Sequence, residues 1–217
     1  MQPTAQNNFR LGPVLATLQQ KRKIFVSEAD FQLELAWIIK EQYPQAKVRL
    51  EYCPDFAPNL HLDILVVIDG RWIPIELKYK TKGCRKVTDG EVFNLKNHAA
   101  KDVSCYLYLK DLQRIEYIRD QAPEFLEGYT IFITNDLSYA KKPLKEDCIY
   151  QQFSLEDGIT KTGLLDWSES AGEGTKKHCK NPITLQDNYP LKWQKYSQID
   201  DTNTGTFIYL VNKINKH

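Results

Sequence analysis

The sequence has no CxxC pair, no G-x-G-x-x-G, G-K-[ST] or G-x-S-x-G motif, and no apolar run near the ~20 residues a membrane helix needs. The first absence excludes a zinc knuckle or a dithiol redox site. The five cysteines, Cys53, Cys84, Cys105, Cys148 and Cys179, are odd in number and scattered, as free thiols would be. His178 beside Cys179 lacks a second ligand pair at metal spacing and is set aside. Without the glycine motifs, a small-molecule α/β enzyme is disfavoured. The polar opening MQPTAQNNFR has no apolar signal-peptide region, so the expected location is cytoplasmic, with no membrane partner. There is no internal repeat, and no excess of one charge: 29 basic against 28 acidic residues leave +1.

What remains is an ordinary globular composition, 42% hydrophobic and 26% charged over 217 residues, which suits a single domain spanning 1–217. SEADFQLELAWIIKEQYP reads as a helix over about 28–42. Ser27 is its N-cap, Phe31, Leu35, Ile38 and Ile39 form its buried face, and Pro44 stops it. GPVLATLQQKRK reads as a shorter helix begun at Pro13. KVRLEY at 47–52 alternates as a strand. HLDILVVID and RWIPIELKYK are apolar runs joined at Asp69-Gly70, which predicts a hairpin lying centrally in a sheet covered on both faces. A helix over about 99–119, a strand at 128–136 and a C-terminal strand at 206–214 follow, with an irregular excursion expected over 154–190. Trp37 and Trp72 are expected in the core, and Trp193 is undecided.

The charge is uneven. From Arg71 to Lys110 there are nine basic residues (Arg71, Lys78, Lys80, Lys82, Arg85, Lys86, Lys96, Lys101, Lys110) against four acidic ones (Glu76, Asp89, Glu91, Asp102), a local +5 that leaves −4 elsewhere. A localised polyanion site needs such a region, and a solvated lysine-rich loop would give the same count.

Asp63 lies in the first hairpin strand, and Glu76 and Lys78 lie near the end of the second. Period-two alternation puts Glu76 and Lys78 on one face, with Ile75 and Leu77 on the other, and the turn folds Asp63 back toward Glu76. Two carboxylates on central strands are costly to bury unpaired, so a cation is expected between them, and oxygen ligands suit Mg²⁺ or Mn²⁺. The bland alternative makes Asp63 a satisfied sheet-edge residue and Glu76 with Lys78 a surface ion pair.

With these residues on their apolar strands, and with helix, three strands, helix and strand in that order, the sequence resembles the PD-(D/E)xK nuclease superfamily over about 27–136. ELKYKTK, LKDLQRIE and IFITND look like an uncharacterised bacterial subgroup of it. Leu62 stands where the family name has proline. The resemblance implies an α/β restriction-endonuclease-like three-layer sandwich, a central mixed β-sheet flanked by helices, with 137–217 as an extension that returns a strand. It implies Asp63, Glu76 and the Leu77 carbonyl as ligands of Mg²⁺ or Mn²⁺, and Lys78 as the residue positioning the attacking water. A further acid facing the site is expected at Glu28 of the first core helix, with Glu34 of the same helix and Glu51 of the strand at 47–52 as competitors. The expected function is a metal-dependent phosphodiesterase, a DNA endonuclease of restriction, repair or mobile-element defence type. Its alternative is a catalytically inactive nuclease-fold module acting as a nucleic-acid-binding or accessory partner. DNA is the expected partner, touched by Lys80, Lys82, Arg85 and Lys86 and then by Lys110 and Arg114, for which intrahelical pairing with Asp111 and Glu116 is the rival reading. A homodimer stays open.

Overall fold

The computed structural model describes residues 9–145, 148–177 and 179–217, so His178 lies outside the described residues. Two helices come first, α1 (Leu11–Lys21) and α2 (Glu28–Gln42). Ser27 Oγ caps α2 by accepting from the Asp30 N–H at 3.1 Å. The Asp30 carboxylate turns back to accept from the Val26 N–H at 2.9 Å and pairs with Arg22 at 2.8 Å. Strands β1 (Lys47–Tyr52), β2 (Leu62–Ile68) and β3 (Arg71–Lys80) follow. Asp69 and Gly70 join β2 to β3 with φ of 51° and 74°, the left-handed pair that a tight two-residue hairpin turn needs. Next come β4 (Cys84–Thr88), β5 (Glu91–Leu95), the long helix α3 (Lys101–Gln121) and β6 (Glu127–Thr134). The chain ends with β7 (Thr160–Leu165), a single turn α4 (Glu173–Lys176), β8 (Ile183–Pro190), β9 (Trp193–Gln198) and β10 (Thr206–Asn215).

Six strands form one sheet in the order β1-β2-β3-β6-β10-β9. Only β3 and β6 run parallel in it, so the sheet is mixed. Alternation sends Ile64, Val66, Ile73, Ile75, Leu77, Tyr79, Ile131 and Ile133 toward α1 and α2. Leu65, Phe132, Leu210 and Ile214 point the other way and pack with Leu109, Leu112, Ile115 and Ile118 of α3. With helices on both faces the protein is α/β, an arrangement compatible with a three-layer sandwich. No helix among the described residues is long and apolar enough to cross a membrane, and all five cysteines are free.

Several expectations are corrected. The basic stretch after β3 is an ordered hairpin, β4–β5, turned by Asp89-Gly90, and Phe93 and Leu95 anchor it to the α1–α2 core. Residues 154–190 hold a second hairpin, β7–β8, whose Leu165, Ile183 and Leu185 cover the outer side of α3. Trp37 is 63% exposed and donates its indole N–H to Glu41. Trp72 and Trp193 pack half-buried against the α3 core.

α3 approaches the sheet closely at Gly128, where a Cβ would lie 2.4 Å from the Ile115 Cγ2 methyl. Glycine therefore sets the spacing between α3 and β6.

Candidate active site

β2 and β3 are paired from Ile68↔Arg71 to Ile64↔Ile75 and then separate. Past that point the free edge of β3 has N–H groups with no strand opposite, and two carboxylates take them. The Leu77 N–H donates to Asp63 Oδ2 at 2.6 Å, and the Tyr79 N–H to Glu28 Oε2 at 2.7 Å. Gln32, one helical turn beyond Glu28, donates to the Asp63 carbonyl and to Glu51 Oε1, each at 2.7 Å. The Leu77 carbonyl accepts from Lys78 Nζ at 3.0 Å. Asp63, Glu28 and Leu77 thus meet at the split between two central strands.

Glu76 and Lys78 face α3. Lys78 Nζ lies 2.5 Å from Asp111 Oδ2, and Arg114 lies 3.3 Å from Glu76 Oε1 and 3.2 Å from Asp111 Oδ1. Asp111 and Arg114 share one face of α3 as i and i+3, so a single turn of helix supplies both partners. Asp63 and Glu76 stand on neighbouring strands, near enough that each charge bears on the other.

Three carboxyl groups, Asp63, Glu76 and Asp111, therefore meet two cations, Lys78 and Arg114, so full ionisation would leave one negative charge in surplus. Burial holds Asp63 above the usual carboxylate range against the pull of Lys78 and the Leu77 N–H, and Asp111 adds to the rise. Burial also raises Glu76 well above that range, with the Asp111 charge second, and Arg114 offsets this only in part. Burial alone would lower Lys78, but Asp111, Glu28 and Glu76 outweigh it, so its pKa is raised and the ammonium stays charged.

The oxygen atoms that could hold a small hard cation are those of Asp63, Glu76 and the Leu77 carbonyl. Glu76 Oε1 and Asp111 Oδ2 are buried without a well-formed hydrogen bond, having only the charges of Arg114 and Lys78 nearby. Among the described residues no three His, Cys, Asp or Glu side chains converge as a metal cage. Such an ion would rest on two carboxylates, a backbone oxygen and water, the sparse ligation Mg²⁺ favours.

The other candidates lie apart from this cluster or at its rim. Glu34 is taken by Arg22 at 2.6 Å. Lys80 pairs with Glu28 at 3.2 Å, Lys82 pairs with Asp136 at 2.9 Å, and Arg85 is exposed on β4. Lys86, expected at a phosphate, is instead buried by the β4–β5 hairpin and held by Asp200 at 2.8 Å and Thr202 at 2.5 Å. Lys110 donates to Gln113 at 2.7 Å rather than to an acid. Arg114 makes the local pair with Asp111 and also reaches Glu76. Asp111 is the site residue that sequence reasoning passed over. Its only visible signal was a carboxylate one turn before Arg114, which reads equally well as a local ion pair.

No protein-family model matches the sequence, and no curated protein is significantly similar to it.

Proposed function

We propose that the protein is a metal-dependent phosphodiesterase of the restriction-endonuclease-like, PD-(D/E)xK kind, acting on DNA. The observation that supports this best is a buried cluster of three carboxyl groups against two cations at the split of two central strands, with a charged lysine beside it. Asp63, Glu76 and the Leu77 carbonyl would hold Mg²⁺ or Mn²⁺. The ion would supply Lewis acidity toward the phosphate and a more acidic water. Lys78 holds positive charge beside that point and can orient a water or meet charge developing on a phosphate oxygen. Asp111 keeps the ammonium protonated and directed, and Arg114 steadies Glu76. Glu28, tied to the Tyr79 N–H and Lys80, fixes the open edge of β3.

The deciding experiment is a Mg²⁺ or Mn²⁺ cleavage assay on supercoiled, linear, single-stranded and branched DNA, with Glu76→Ala as control. Metal-dependent cleavage lost in that variant supports the reading, and no cleavage of any substrate at either metal rejects it.

The same ion pairs favour a second reading, an inactive module on this fold. Lys78 and Arg114 already engage Asp111 and Glu76, so the cluster can stand with a retained proton in place of an ion. Metal-induced stabilisation separates the two readings.

A further inference from the structure

Next to the carboxylate cluster, on the outer face of α3, lies a cleft of about 540 Å³ lined by Leu60, Lys110, Arg114 and Tyr117, with Gln186 of β8 opposite. Lys110, Arg114 and Tyr117 stand at i, i+4 and i+7 and so share one stripe of the helix. Arg114 belongs to both places. It lines the cleft, and its guanidinium touches Glu76 and Asp111 and donates to the His61 carbonyl at 2.5 Å.

The cleft joins two chemistries. Tyr117 is 43% exposed and sits 6.3 Å from Phe56, itself 38% exposed and stacked 6.4 Å from Trp72. Phe56 thus lies stacked on Trp72 and meets Tyr117 edge-on, which leaves the Tyr117 ring part-exposed. One and two turns away along the stripe stand a guanidinium and an ammonium. Lys110 has an amide and no carboxylate as partner, and burial and the Arg114 charge both lower its pKa, so an anion placed there relieves a like-charge pair. Asp120, at the far end, is already held by Arg119 and by Gln186.

We propose that this cleft takes an unpaired DNA nucleobase stacked on Tyr117 with its phosphate on Lys110 and Arg114, which makes single-stranded or flapped DNA the substrate class. Bases in a duplex present only their edges. A ring face and adjoining phosphate become available together when the strand is unstacked, and aromatic platforms lined with cations read that combination. The placement beside Glu76 rests on the phosphodiesterase reading, whereas base binding itself needs no metal.

The test is fluorescence anisotropy without metal, using a short single-stranded deoxyoligonucleotide, its duplex, and an abasic strand of equal length. The single strand should bind more tightly than the duplex. Tyr117→Ala should weaken single-strand binding about five- to one-hundred-fold and leave the abasic strand unaffected, while Tyr117→Phe retains wild-type binding. Tyr117 is a surface residue, and an unchanged melting curve would show that the alanine variant is folded. Equal affinity losses on normal and abasic strands, or tighter binding of duplex, would overturn the inference. Base-dependent binding without cleavage of any DNA leaves the cleft assignment standing and removes the phosphodiesterase. Cleavage of duplex indifferent to Tyr117 does the reverse.

Discussion

Lys78 and Asp111 lie 33 positions apart in the chain and 2.5 Å apart in space, joining the end of a central strand to the middle of α3. Their side chains are 13% and 4% exposed, so the pair is shielded from solvent and salt. Asp111→Ala should lower stability by about 2–4 kcal/mol. Removing one member of a buried pair strands the other charge, and Lys78 keeps Glu28, Glu76 and Asp63 as partial compensation. The double change Lys78→Met with Asp111→Leu should recover most of the loss in urea denaturation. A double-variant loss equal to the sum of the Lys78→Met and Asp111→Leu losses would mean the pair is not coupled.

The raised carboxyls set a pH dependence. In the folded chain Asp63 and Glu76 hold protons at pH values where the unfolded chain has released them, so the folded state binds more protons and stability falls as pH rises. The contribution is full below the unfolded pKa values and is lost as pH climbs through the raised folded ones. Metal-free unfolding curves from pH 4 to pH 8 should show a decline for the wild type that Glu76→Gln flattens. Parallel curves would show that Glu76 titrates as freely as a solvent-exposed acid.

Bound metal should reverse that slope. Mn²⁺ should raise the melting temperature of the wild type, because a ligand bound by the native state alone stabilises it by mass action. Asp63→Asn should abolish the shift, and in the wild type it should shrink as pH falls and protons reclaim the carboxyls. A saturating-metal curve that matches the metal-free one would favour the inactive module.

Burial of Lys86 divides the basic stretch into two kinds of residue. Replacing Lys80, Lys82 and Arg85 together by alanine should make the salt dependence of DNA affinity shallower by about one to three logarithmic units, at roughly 0.9 for each phosphate left without its cation. Lys86→Ala should leave that slope unchanged and lower the urea midpoint, since it removes the bonds to Asp200 and Thr202. The prediction fails if Lys86→Ala changes the slope as much as the triple variant does.

Gly128 sets the distance between α3 and the sheet. Gly128→Ala should cost about 1–3 kcal/mol, because the added methyl collides with Ile115 in a packed core. Ile115 adjoins Arg114, so the same variant should weaken whatever Arg114 holds at Glu76. Thermal unfolding and single-strand DNA binding read the two effects separately.

Local chemistry made much of the fold legible. Ser27 marked the start of α2, Asp69-Gly70 the β2–β3 turn, and alternation placed Glu76 and Lys78 on one face opposite Leu77. Hidden elements were those whose local signals conflict. Asp89-Gly90 is as good a turn as Asp69-Gly70, but its flanks CRKVT and EVFNL are short and polar, so charge masked the alternation. In β8, Asp187, Asn188 and Pro190 read as loop formers, yet the Glu116 carboxylate accepts from the Gln186 and Asp187 N–H groups and holds the segment extended. Trp37 was placed inside by residue type alone, although its helix position faces solvent. Asp111 could not be read at all, because its partners come from a distant strand and only packing of α3 on the sheet brings them together.

The sheet is closed out of chain order. β6, at residues 127–134, has β3 on one side, and its other neighbour is β10, the last strand of the chain, which pairs with it from Ile208↔Thr134 to Asn215↔Glu127. β9 joins β10 in turn, and Tyr196 of β9 donates its hydroxyl to the Arg22 carbonyl just past α1. One edge of β6 therefore stays unpaired until β10, which follows it only after β7, β8 and β9, has docked. Until that docking β6 presents an open strand edge, and closing so long a loop makes this pairing slow relative to the local hairpins.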